Sequence, residues 1–261
     1  MAGFEVAAFH ASGACGSAME RLIGAGRVAA VLDLTLHEVT EEVVGVGWYQ
    51  PVDKGRLTTA GEMGIPQVVA PGGMEYVCFG PRESVPSGFR RRPTYYHNPL
   101  NANVRTSRRE MAAVGRVLAE RLNQAKGPVA VVLPMKGWSI YGAPGGPLHD
   151  GAADAALVRN LTRDLRRDIP VHRLPLHIND PAFAEQLLRG SAGVFGISRA
   201  VGVTSRRSPV EPDLAMVQLT EEAVATGSRT FWRKISVVSL SRGAVFPEAR
   251  GPRSRDGGGQ K

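Results

Sequence analysis

The residues best suited to chemistry lie near the start of the chain, in Ser12-Gly-Ala-Cys-Gly-Ser17. The apolar residues before this run read as a strand beginning at residue 4, and those after it as a helix. A glycine-rich turn from strand to helix aims successive backbone N–H groups at one spot, and the helix dipole favours negative charge there. The chemistry is anion binding: Gly13, Ala14, Cys15 and Gly16 supply amides, and Ser12 a hydroxyl, to phosphate or carboxylate oxygens. The run departs from G-x-G-x-x-G and lacks the Lys-Ser/Thr of a P-loop. A tight β-to-α connection explains the glycines equally well.

Cys15 also stands where an α/β-hydrolase places its nucleophile, and Cys15, Asp150 and His177 follow that fold's order. That elbow sits in a sheet with several preceding strands, whereas here three residues precede the strand, so no catalytic residue is assigned. His149-Asp150 and His177-Ile-Asn-Asp180 hold titratable pairs, but both aspartates read more simply as helix caps. Glu20 reads as a capping or surface group and Trp138 as a loop or interface aromatic. No His/Cys spacing supports zinc. Arg90-Arg91-Arg92 reads as a solvated turn, and nucleic acid is not indicated because no aromatic stacking pattern accompanies it.

The elements that position these groups alternate in a β-α rhythm. Val28–Leu34, Ile65–Ala70, Thr94–His97, Val129–Leu133 and Val171–Leu176 read as strands. Leu36–Val44 reads as a helix capped by Thr35, residues 53–63 as a short helix, and Thr106–Lys126 as the longest helix, stopped by Gly127-Pro128. Gly151–Arg167 and Ala182–Arg189 follow Asp150 and Asp180-Pro181. The pattern predicts an α/β fold, a doubly wound, mostly parallel Rossmann-like sheet with helices on both faces. The lobe spans 1–190.

Of the 261 residues, 43% are hydrophobic and 21% charged, enough for a sizeable core. No apolar run reaches the roughly 20 residues of a membrane span. No signal peptide is evident, and two cysteines fit a reduced, cytoplasmic setting. The formal charge is +8, with most of the excess after residue 194, so the high pI is no nucleic-acid footprint of the lobe. Residues 191–261 read as a low-complexity, disordered extension interrupted by the apolar patches Leu214–Leu219 and Ile235–Leu240. That extension reads as a sequence without a selected core, as a basic arm, or as a small subdomain.

The run FHASGACGSAMERLI resembles the second half of the tomato mosaic virus resistance protein-like ATP-binding domain family. The resemblance continues through VLDLTLHEV, GIPQVVAPGGMEYVCFGPRESVP, YYHNPLNANVRTS, GPVAVVLPMKGWS and HINDPAFAEQLL. Two departures stand out: the family's Thr is Ser12, and Cys15-Gly16 replaces a glycine pair. The resemblance implies ATP with Mg2+ held between two Rossmann-like lobes, of which this chain is the second. Position by position, it implies that Gly13 to Gly16 cradle phosphates and that Asp33 and Thr35 hold a ribose or a magnesium-bound water. Gly72 and Gly73 would let backbone approach the ligand; His97, Asn98 and Asn101 would add polar contacts and Arg105 positive charge. Asp33 as a helix cap and His97 and Asn98 as loop hydrogen-bonders are the alternatives. The expected partners are a nucleotide and either a second α/β lobe or another copy of the chain. The expected function is a non-catalytic regulatory nucleotide-binding lobe; an interaction lobe binding no nucleotide by itself, or a small-molecule hydrolase or transferase, are the competing classes.

Overall fold

Val129-Ala-Val-Val-Leu133 is apolar at every position, which suits a strand covered on both faces. The computed structural model describes residues 5–53, 55–191 and 214–219, and it buries this run completely. In chain order the elements are β1 (Glu5–His10), α1 (Gly13–Gly24), β2 (Val31–Thr35), α2 (His37–Val44), α3 (Thr59–Glu62), β3 (Gln67–Gly72), β4 (Tyr76–Phe79), β5 (Thr94–Asn98), β6 (Asn101–Arg105), α4 (Arg108–Asn123), β7 (Val129–Pro134), α5 (Gly151–Asp164), β8 (Val171–Leu174), α6 (Pro181–Ser191) and β9 (Leu214–Leu219).

Six strands make a parallel sheet in the order β1-β9-β2-β3-β7-β8. Strand alternation then divides the core. Val129, Val131 and Leu133 join Met111, Leu118 and Leu122 of α4 and Leu157 and Leu161 of α5 on one face. Ala130 and Val132 point the other way, to Phe183 and Leu187 of α6. The sheet is therefore helix-covered on both faces, the arrangement that near-continuous apolar strands demand.

Local signals set the helix boundaries. Ser107 and Glu110 close a capping box at the start of α4. The Asp150 carboxylate accepts the Ala152 and Ala153 amides, and Asp180 accepts the Ala182 amide. Both aspartates are thus caps, as their positions predict. Thr35 is not one: it ends β2, and the cap position of α2 falls to Leu36, which makes no side-chain cap bond. The expected helix over 53–63 shrinks to Thr59–Glu62, because Gly55 (φ +89°) and Leu57 (φ 72°) take left-handed backbone incompatible with a helix.

Strands β4, β6 and β5 form a separate antiparallel sheet, of which the sequence reading anticipates only β5. The sequence reading gives Asn101 and Arg105 as ligand contacts and no strand here, yet Asn101–Arg105 is β6 and buried throughout. Side-chain hydrogen bonds make this possible: Asn101 donates to the Tyr49 hydroxyl (3.5 Å), and the Cys78 thiol donates to Asn103 (3.3 Å). Within the expected disordered extension, Leu214–Leu219 is β9, paired with β1 and β2; apart from it and Ser191, that extension, including Ile235–Leu240, lies outside the described residues. Among the described residues no helix is long and apolar enough to cross a membrane.

Candidate functional site

Parallel strands put their carboxyl ends on one rim, so the turn after β1, Thr35, Gly72 and the loop after β7 all lie there. Within the turn, Ser12 is the N-cap of α1 and its hydroxyl accepts the Cys15 amide at 3.4 Å. The two glycines serve packing. A Cβ on Gly13 would lie 1.8 Å from the Gln50 carbonyl oxygen, and one on Gly16 would lie 2.8 Å from Arg56 Nε. Ser17 fastens the same loop by accepting the Val52 and Asp53 amides. The inner side of the turn is therefore filled by protein, while Ala14 is exposed and Cys15 half-buried on the outer side.

Asp33, on β2, is buried and takes a two-pronged bond from Arg56, at 2.6 and 2.8 Å. Arg56 also reaches Glu38 at 2.9 Å and Glu20 at 3.0 Å. One guanidinium thus serves three carboxylates from α1, β2 and α2. Burial alone would lower the Arg56 pKa, but these carboxylates hold it above the usual value. Burial pushes Asp33 up to about 6 against the pull of Arg56. Glu20 also accepts the Leu57 and Thr59 amides, which holds Leu57 in its left-handed backbone. Arg56 carries no sequence signal, since it falls in the segment 53–63 read as a short helix and its partners lie 18 to 36 residues away.

Thr35 pairs across the sheet with Gly72, where a Cβ would lie 2.2 Å from the Leu34 carbonyl oxygen. Gly73, at φ +66°, faces Tyr76 and His37. An aromatic chain leads from there to the small sheet: Tyr76 meets Tyr141 edge-on, Tyr141 stacks on Tyr95, and the Tyr141 hydroxyl pairs with His97 Nδ1 at 2.7 Å. Asn98, the exposed last residue of β5, accepts the Leu100 amide. Arg105 is buried and donates to the Glu75 and Asp150 carbonyl oxygens and to Asp154. The sequence-predicted residues thus separate into the turn with Asp33, the Thr35–Gly73 rim, and the small sheet.

The hydrolase order does not assemble. His177 Nε2 pairs with the Ser139 carbonyl and its Nδ1 accepts the Asn179 amide, while Asp150 caps α5. Among the described residues the Cys15 sulfur makes no hydrogen bond, and no group of three or more His, Cys, Asp or Glu could hold a metal ion.

Burial also raises Glu41, to about 8, and Glu75, to about 7, although Glu41 accepts the Tyr49 and Cys78 amides and Ser139 pulls Glu75 down. Asp33, Glu41 and Glu75 each bind a proton more tightly in the folded chain than in the unfolded one. Between the unfolded values of 3.8 to 4.5 and the folded values of about 6 to 8, the folded state holds more protons, so stability falls as pH rises through that window. Urea melts across this range check the sign. Glu75→Gln is expected to make the fall shallower between about pH 4.5 and 7, the interval between its unfolded and folded values, and to leave the curve above that interval unchanged in slope; stability that rises toward alkaline pH would refute the assignment.

Residues 1–194 match the model of a family described as the C-terminal domain of the uncharacterised protein family UPF0261. A UPF0261 protein of Clostridium tetani is 42% identical over 183 residues, covering 70% of this chain and 45% of that protein. One from Rhizobium meliloti is 39% identical over 179 residues, 68% of this chain and 44% of the relative. The ToMV resistance protein Tm-1(GCR237) of Solanum lycopersicum is 38% identical over 201 residues, 76% of this chain and 26% of that protein. The chain spans less than half the length of these relatives.

Proposed function

Because the chain belongs to the UPF0261 family, matching its C-terminal domain, we propose that it is a non-catalytic regulatory lobe that supplies one wall of a nucleotide site, with ATP as the ligand. The observation that carries the reading is the outer side of the α1 turn. Ala14 is exposed at the carboxyl end of β1, one residue into a helix of 12 residues. The first amides of a helix have no intrahelical partner and favour an anion.

The other expected contacts are reassigned. Asp33 and Thr35 are 1% and 2% exposed, so their part is to set the height and tilt of the turn, through Arg56 and the β2–β3 pairing, rather than to touch a ribose. Mg2+ does not fit a protein-held site here, since Asp33 is engaged by Arg56. It would arrive on the phosphates.

A second reading, an interaction lobe without nucleotide, is favoured by Trp48 and Val52. These are 60% and 68% exposed in the loop that packs on the turn, a surface suited to a covering lobe or second copy. Calorimetric titration of the full chain with Mg-ATP separates the two. Saturable binding is expected, weakened about tenfold by Ala14→Asp, whose carboxylate favours the helix start but repels phosphate. No binding removes the nucleotide reading and leaves the interaction lobe; equal binding by Ala14→Asp removes the α1 turn as the nucleotide site.

A further inference from the structure

The loop from β7 to α5 turns back on itself and leaves a cleft of about 370 Å³, a volume suited to a small ligand. Several bonds hold its shape. The Leu148 amide donates to the Tyr141 carbonyl, Ser139 Oγ accepts the Tyr141 and Gly142 amides, and the Ile178 amide donates to the Gly137 carbonyl. Gly137, at φ +133°, makes the tight passage: a Cβ there would lie 2.7 Å from the His177 ring.

The lining has two distinct parts. Buried Trp138 and Val158 and exposed Pro144 give it apolar surface. Lys136, Arg159 and Arg173 stand on the rim, from the loop, α5 and β8 respectively. All three are exposed, and none makes an ion pair among the described residues. The acids nearby are already engaged. Asp154 pairs with Arg105, and Asp150 caps α5, so the start of that helix is not itself the anion site. His149 Nδ1 is held by the Gly142 carbonyl. These three cations line one cleft with apolar side chains, and the cleft's own acid, Asp154, is taken up by Arg105; this describes a receptor for an anionic group on a flat apolar body.

We propose that this cleft binds a small organic anion, its phosphate or carboxylate group held by Lys136, Arg159 and Arg173 and its body laid against Trp138, Pro144 and Val158. The site is separate from the α1 turn: β1 and β7 are four strand spacings apart, about 19 Å. It goes beyond the nucleotide reading and does not depend on it.

Calorimetric titration of the full chain with phenyl phosphate, benzoate and inorganic phosphate tests it. Phenyl phosphate or benzoate is expected to saturate one site, with the tighter of the two identifying the headgroup. Inorganic phosphate should bind more weakly, because it leaves the apolar surface uncovered. Arg159→Ala/Arg173→Ala, both exposed positions, should weaken binding about tenfold or more, and Ala14→Asp should leave it unchanged. No saturable binding of either organic probe overturns the proposal. So does unchanged affinity in the double variant, loss of binding in Ala14→Asp, or inorganic phosphate binding as tightly as phenyl phosphate.

Discussion

Replacing Arg56 by alanine is expected to destabilise the chain by about 3–5 kcal/mol, the cost of stranding buried charge. Its guanidinium is 1% exposed and holds Asp33, Glu38 and Glu20, which are 1%, 0% and 12% exposed. Without it, three carboxylates face one another in a space closed to water. Each must take up a proton or the loop that follows Gly55 must open. Two observations distinguish this from simple loss of packing. Arg56→Ala should recover part of its stability as pH falls toward the carboxylate range, because protonation removes the repulsion. Arg56→Lys should fall between wild type and alanine, since it keeps the charge but loses the forked geometry that spans Asp33. Urea unfolding of the three proteins at neutral and acid pH gives both readouts. A loss below about 1 kcal/mol for Arg56→Ala, the range of an exposed pair, would mean the cluster is not closed.

Gly115→Ala is the second large effect, and its sign is the test. Gly115 lies in the middle of α4, where alanine is intrinsically better by about 1 kcal/mol. In the fold, however, a Cβ there would sit 2.4 Å from the Leu157 carbonyl oxygen and 3.1 Å from the Leu161 amide nitrogen, both backbone of α5. Backbone cannot swing aside as a flexible side chain can. The helices must part, which loosens Met111, Leu118 and Leu122 against Leu157 and Leu161. Overpacking of this kind costs about 1–3 kcal/mol, so a net loss is expected in chemical denaturation. A gain in stability would show that α4 and α5 adjust freely and that the core is less tightly set than the contact implies.

Much of the fold was legible. The periodic apolar residues of α4, the caps Asp150 and Asp180 and the continuous run Val129–Leu133 each have a local cause, and each appears within a few residues of its expected place. The errors share a cause as well. Thr35 has the chemistry of a cap, but β2 extends through it. Residues 53–63 have helical composition, but Leu57 is drawn out of helical backbone by Glu20, 37 residues earlier. Strand β6 has no apolar pattern to announce it, because its Asn101 and Asn103 are buried only with Tyr49 and Cys78 as partners.

The turn at Ser12–Ser17 shows the same division. Sequence alone determined that a strand meets a helix there and that the chain belongs with a specific family, because these depend on neighbouring residues and motif order. Only the tertiary structure decided what the glycines are for. Close approach of backbone or side chain from another element depends on distances that no local pattern encodes. Gly13 and Gly16 make room for Gln50 and Arg56, and Asp33 is engaged by Arg56. By the same reasoning the cleft after β7 was invisible in the sequence. Lys136, Arg159 and Arg173 lie far apart along the chain, and it is the parallel pairing of β7 with β8, with α5 packed beside them, that brings them to one rim.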